Sequence, residues 1–258
     1  MGESSIPMAR EEEWPLGGPR AFQTTHWSRV LAAGRRWDSR AGAALADLFR
    51  SYAYPLYAFA RRQGAGHEDA QDLVQGFFAG LVETSGLRHA DPQRGRFRSY
   101  LLGAFKHYVQ NLQARDRAQK RGGGKEHLAL DLETARGRYA REPADPETPE
   151  KIYERRWAQA VLERALAGLR EESRAAGREE AFELLKGYLV GEGERGSYRT
   201  TARSLGLSEG ALRVAVHRLR KRFAERLRGE VAATVNGQRE VSKELSFLLE
   251  ALRSGGRS

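Results

Sequence analysis

The chain has 258 residues, 40% hydrophobic and 30% charged, which is enough apolar material for more than one small core beneath a heavily solvated surface. Its formal charge of +10 favours a polyanionic partner, nucleic acid first, because cations placed on phosphates release condensed counterions. Cysteine is absent and the six histidines are scattered without metal-ligand spacing, which excludes disulfides, thiolate ligands and a Cys nucleophile and leaves no expectation of a metal or a cofactor.

Residues 1–20 are acidic and rich in Gly and Pro, unlike a signal peptide, and read as a disordered tail. No apolar run approaches the roughly 18 residues of a membrane span, so a cytoplasmic protein without membrane insertion is expected. Thr24 and Thr25 are good N-caps for a first helix carrying Trp27, Val30 and Leu31. Over 41–63 the apolar residues Leu45, Leu48, Phe49, Tyr52, Leu56, Phe59 and Ala60 recur at helical spacing, with Pro55 predicting a kink or break. Gly64 and Gly66 mark a turn. The segment 67–82 has a wide apolar stripe, with Leu73, Phe77 and Leu81 beside Val74, Phe78 and Val82; its opening acids Glu68, Asp69 and Asp72 suit the positive end of the helix dipole.

After a loop over 85–95, a helix is predicted for 97–121 through Tyr100, Leu101, Ala104, Phe105, Tyr108 and Leu112. Here Arg94, Arg96, Arg98, Lys106, Arg115, Arg117, Lys120 and Arg121 interleave with Phe97, Tyr100, Phe105 and Tyr108, a pattern that holds single-stranded nucleic acid: cations track the backbone while aromatic faces stack on bases. The same spacing also serves a helical core, and about half of those aromatic residues are assigned to it. The stretch 122–150, with three successive glycines and then Pro143, Pro146 and Pro149 among charges, reads as a linker. Gly122 to Lys125 lacks the spacing and the Ser or Thr of a phosphate-binding loop.

A second helical block follows, with helices over 152–169 and 179–190 and then the run Y-R-T-T-A-R-S-L-G-L-S-E-G-A-L from Tyr198 to Leu212. It reads as a helix-turn-helix: Gly206 takes the turn, Ser208 caps the second helix, and Leu205, Leu207, Leu212, Val216 and Leu219 supply the seam. The other face carries Arg213, His217, Arg218, Arg220, Lys221 and Arg222. Groove insertion needs this distribution, with Glu209, Gly210, Ala211, Arg213, Val214 and His217 at base edges and the flanking cations on phosphates; the plainer alternative is a helical hairpin with a solvated basic face. After Asn236-Gly237 an amphipathic helix over 241–252 carries Val241, Leu245, Leu248, Leu249 and Leu252, expected to pack back onto the C-terminal domain. No segment alternates as a strand, so the predicted class is all-α: two helical domains (21–121 and 151–235) joined by the 122–150 linker, and an extension over 236–258.

The run from Tyr198 to Phe223 resembles region 4 of bacterial sigma factors of the extracytoplasmic-function type. Upstream, L-F-R-S-Y-A-Y-P-L-Y-A-F-A-R-R and H-E-D-A-Q-D-L-V-Q-G-F-F-A-G-L resemble region 2 of the same family. The resemblance implies a sigma factor that binds core RNA polymerase, recognises and melts promoter DNA, and has no catalysis of its own; an anti-sigma factor or other regulator is a further possible partner. It places Asp69, Asp72 and Gln75 on polymerase, and Arg96, Phe97, Arg98, Tyr100, Lys106, His107, Asn111 and Arg115 on the melted minus-ten strand. Ser208, Glu209, Gly210, Ala211, Arg213, Val214, His217, Arg218, Arg220 and Lys221 fall on the minus-thirty-five element. Departures are Gly76 where the family usually has Glu, His107 and Asn111 where it has Asn and Asp, and Ala215 where an Arg is common. The alternatives are a stand-alone helix-turn-helix regulator that dimerises through its N-terminal domain, and an interaction protein held through its last helix. A recombinase with a terminal helix-turn-helix lacks a Ser or Tyr nucleophile on a recognisable catalytic domain.

Overall fold

In the computed structural model, residues 39–83, 96–118, 139, 147–189, 197–235 and 237–254 are described. The tail over 1–20, the helix expected after Thr24, the loop over 85–95 and most of the linker lie outside them. Among the described residues there are eight α-helices and no strand. None of these helices is long and apolar enough to cross a membrane.

The first helix, α1 (Ser39–Arg62), runs unbroken past Pro55, where the sequence predicts a kink or break. A mid-helix proline costs about 3 kcal/mol. Tyr52, Leu56, Tyr57 and Phe59, on both sides of it, are all buried, and each such side chain returns about 1.5–3 kcal/mol. Gly64 ends the helix at φ 94°, with Gly64 N–H donating to the Arg61 carbonyl and Ala65 N–H to that of Ala60, the paired bonds of a glycine C-cap.

Helix α2 (His67–Glu83) and helix α3 (Phe97–Ala118) close an aromatic core on α1. Phe49 stacks on Phe78 at 4.2 Å, Phe77 meets Phe105 edge-on at 5.1 Å, and Tyr52 meets Phe97 at 5.4 Å. Helix α4 (Pro149–Ala175) begins earlier than apolar periodicity predicts, because Thr148 accepts from Lys151 N–H and Pro149 sits in the first turn, which needs no amide donor.

Helix α5 (Glu179–Leu185) tightens into a 3₁₀ turn over Lys186–Tyr188 in place of one helix over 179–190. Helices α6 (Ser197–Ser204) and α7 (Glu209–Ala232) meet at Gly206, whose φ of 64° is left-handed. Gly206 N–H donates to the Arg203 carbonyl and Leu207 N–H to that of Ala202, so the same C-cap terminates α6. Helix α8 (Gln238–Ser254) follows Gly237.

Two clusters of buried side chains result. The larger joins α1, α2 and α3 to Tyr153, Trp157, Ala158 and Val161 of α4, Val231 at the end of α7, Val235 after it, and Val241 and Leu248 of α8. The smaller joins Leu169 of α4 to Phe182, Leu185, Tyr188, Ala202, Leu212, Val216 and Leu219. Both α4 and α7 therefore serve both clusters, and the boundary falls within these helices.

Leu169 and Leu212 are fully buried in the smaller cluster, so either Leu→Ala change is expected to cost about 2–5 kcal/mol, read from the shift in urea midpoint. In the larger cluster burial pushes the Tyr52 hydroxyl up to about 12 and raises Tyr153 well above its usual value. Unfolded tyrosines ionise near 10, so this stability is fully present below that pH and is lost as pH rises from there through about 12. A pH series of unfolding curves should show that loss, and Tyr52→Phe should flatten it.

Candidate nucleic-acid interface

Three surfaces carry the residues singled out from sequence. On α2, Asp69 and Asp72 are exposed on one face of the opening turns and Gln75 is half-buried below them. The helix start is fixed by Ala70 N–H donating to the Gly66 carbonyl and by the His67 ring, whose Nδ1 lies 2.8 Å from the Tyr57 hydroxyl. Gly76 follows on α2, and a Cβ built there would collide with the Tyr108 hydroxyl. Tyr108 packs against Phe77, with ring centres 5.7 Å apart. That close approach is the local reason for glycine where the resemblance leads one to expect Glu.

On α3 the predicted residues separate. Phe97 is core, as is Phe105; Tyr100 and Tyr108 are half-buried. His107 and Asn111 are exposed one turn apart, and the side chain of Arg115 lies outside the described residues. The cations are paired with carboxylates of the same chain, and Arg98 among them is buried. Arg98 is 4% exposed, with Nε donating to Glu244 Oε1 at 2.7 Å, Nη2 to Glu244 Oε2 at 3.4 Å and Nη1 to Glu154 Oε1 at 3.4 Å. Its guanidinium lies 3.7 Å from the Phe247 ring centre and 5.1 Å from that of Trp157. Arg96 Nε is 2.9 Å from Glu244 Oε2, and Lys106 Nζ is 2.6 Å from Glu150 Oε1.

The electrostatics follow from these contacts. Its hydrogen bond from Lys106 holds the Glu150 carboxyl below its usual value. Burial pushes Glu154 up, against the pull of Arg98. Glu244 is 1% exposed and brackets both arginines. Tyr153 donates its hydroxyl proton to the Arg98 carbonyl at 2.9 Å, so α4 holds the backbone at this point as well as the side chain.

Glu244, Phe247, Glu154, Glu150 and Tyr153 were not singled out from sequence. One signal was present: Glu244 lies between Val241 and Leu248 on the apolar stripe of its helix, where an acid is costly without a partner. Nothing in the one-dimensional pattern says that the partner is Arg98.

On α7, Ser208 Oγ accepts from Ala211 N–H at 3.2 Å and caps the helix, with Glu209 in its first turn. Leu212, Val216 and Leu219 face the smaller cluster, which turns Ala211, Arg213, Val214, His217, Arg218 and Lys221 outward, with Glu209 and Gly210 exposed at the start. Arg203 of α6 is exposed too, and Arg213 lies 5.0 Å from the Tyr198 ring centre. Arg220 Nε donates to the Tyr188 carbonyl at 2.9 Å, which ties α7 to the 3₁₀ turn.

Gly76→Ala is expected to destabilise by about 1–3 kcal/mol through overpacking. In a Tyr108→Phe background the cost should shrink, because the hydroxyl that collides is gone; a double-mutant cycle by thermal unfolding measures the coupling.

Residues 48–119, which include most of α1 and all of α2 and α3, match the family model of sigma-70 region 2. No solved structure matches the chain. The chain thus carries a sigma-70 region 2 domain on the helices that bear Asp72, Arg98 and His107, a domain that implies a sigma factor binding core RNA polymerase and directing promoter recognition and melting.

Proposed function

We propose that this chain is a sigma factor of the extracytoplasmic-function type, reading a promoter with two separate surfaces while bound to polymerase. A sigma-70 region 2 binds core RNA polymerase and directs promoter recognition and melting; the family has no catalytic activity of its own. In this reading the exposed acids Asp69 and Asp72, with Gln75, dock on polymerase. His107 and Asn111, one turn apart on α3, meet the minus-ten element together with Arg96, Arg98, Tyr100 and Lys106.

The α6–α7 pair acts as the helix-turn-helix that reads the minus-thirty-five element. The observation that carries this is the outward face of α7: Arg213, Val214, His217, Arg218 and Lys221 are all exposed on a helix whose start is capped by Ser208 and whose other face is anchored by Leu212, Val216 and Leu219. A helix held in this way can enter a major groove with its first turns at base edges, cations on the flanking phosphates and the Val214 methyls free to meet a thymine methyl.

The test is reconstitution of the full chain with core polymerase, followed by sequencing of bound DNA and run-off transcription; initiation without sequence preference would sink the reading of α7. Asp72→Ala should weaken polymerase binding, by about 1 kcal/mol or more if it is a contact of hot-spot size. Arg213→Ala should leave polymerase binding intact and cost about 1–3 kcal/mol at one upstream base position, relaxing specificity there. Arg220→Ala, by contrast, should lower thermal stability, because it removes the bond to the Tyr188 carbonyl.

A further inference from the structure

Helix α8 lies outside the matched region 2, yet its side chains occupy Arg98 of α3 and Arg96 just before it. Glu244 places one carboxylate oxygen 2.7 Å from Arg98 Nε and the other 2.9 Å from Arg96 Nε. Phe247, one turn on, covers the Arg98 guanidinium face at 3.7 Å. A carboxylate bridging two arginines beside an aromatic ring presents what a nucleic-acid strand would present there: an anionic oxygen pair for the cations and a flat π-face for the guanidinium. Helix α4 adds Glu154 on Arg98 and Glu150 on Lys106, so the three described cations among the minus-ten candidates are each matched by a carboxylate of the same chain. The helix is anchored, too: Val241 and Leu248 are buried in the larger cluster on either side of Glu244.

We propose that α8 is an intramolecular inhibitor, in which Glu244 and Phe247 hold the Arg96–Arg98 site closed against the melted promoter strand until α8 is lifted away. The inference rests on the reading of Arg96 and Arg98 as strand contacts. Strand and α8 compete for the same guanidinium groups, so each bound DNA strand requires that Glu244 has left. Free chain therefore binds single strands with an affinity reduced by the fraction of molecules that are open. The exposed acids of α2 stand clear of α8 contacts among those described, so polymerase can dock on the closed form and supply the energy for opening.

The experiment uses the full-length chain and a fluorescent pool of short single-stranded DNA of random sequence. Glu244→Gln and Phe247→Ala should each raise affinity for the pool, by about tenfold or more, relative to the parent chain. Arg98→Ala added to Glu244→Gln should abolish the gain. Hydrogen exchange on the parent chain supplies a second arm that needs no variant: protection over 238–254 should fall when core polymerase is added together with promoter DNA. Unchanged strand affinity in both folded variants, or α8 protection retained in a complex that initiates transcription, overturns the inhibitor. A gain in strand affinity that survives Arg98→Ala shows instead that the strand site lies elsewhere, while failure of polymerase complexes to select promoters speaks against the functional reading and leaves these two arms to decide on α8. If a variant melts early, the exchange arm alone decides.

Discussion

The Arg98–Glu244 ion pair is the constraint around which the larger part of the molecule is arranged. Both side chains are almost wholly removed from water, and the effective penalty for each ion is several kcal/mol even after relaxation. The pair persists because it is not alone. Glu154 takes a further guanidinium nitrogen, Phe247 and Trp157 lie against the cation, and Arg96 shares the second carboxylate oxygen. Those partners come from α4, α8 and the residue two before Arg98, so one buried charge makes α3, α4 and α8, from distant parts of the chain, interdependent. Removing either ion would strand the other in a medium that cannot solvate it.

Helix α4 is the element that lets such a pair form. It lies along α1, supplies Tyr153 and Trp157 to one cluster, and continues through Leu169 into the other. Its N-terminal turns carry Glu150 and Glu154 to the cations of α3, and its later turns meet the end of α7, where Arg164 pairs with Glu230 and Arg226 with Glu172. These outer pairs are half-exposed and contribute modestly. The apolar seams beneath them do the holding.

This architecture sorts the candidate surfaces by accessibility. Asp69 and Asp72 face outward, as do Arg213, His217 and Lys221, while Arg96, Arg98 and Lys106 are engaged within the chain. On the proposed reading the surfaces for polymerase and for duplex DNA are ready at once and the surface for the melted strand is not. Such an ordering suits a factor that must find polymerase and promoter before any strand is separated. It also accounts for an extension whose apolar stripe carries an acid.

Much of the local structure was legible beforehand because it depends on near neighbours. Period, cap and turn residues mark α2, the Gly206 turn and the Ser208 cap, since backbone hydrogen bonds and left-handed glycines act over a few residues. The same local logic failed at Pro55, where burial of flanking aromatic and aliphatic side chains outweighs the lost helix bond, and at Thr148, whose capping extends α4 past its apolar pattern. By itself, then, the sequence determined the all-helical class among the described residues, the position of most of those helices and the exposed basic face of α7. Only the tertiary structure decided that Arg96 and Arg98 turn inward to Glu244, because a counterion 146 residues away leaves no periodic trace: pairing is settled by which helices the two cores bring together.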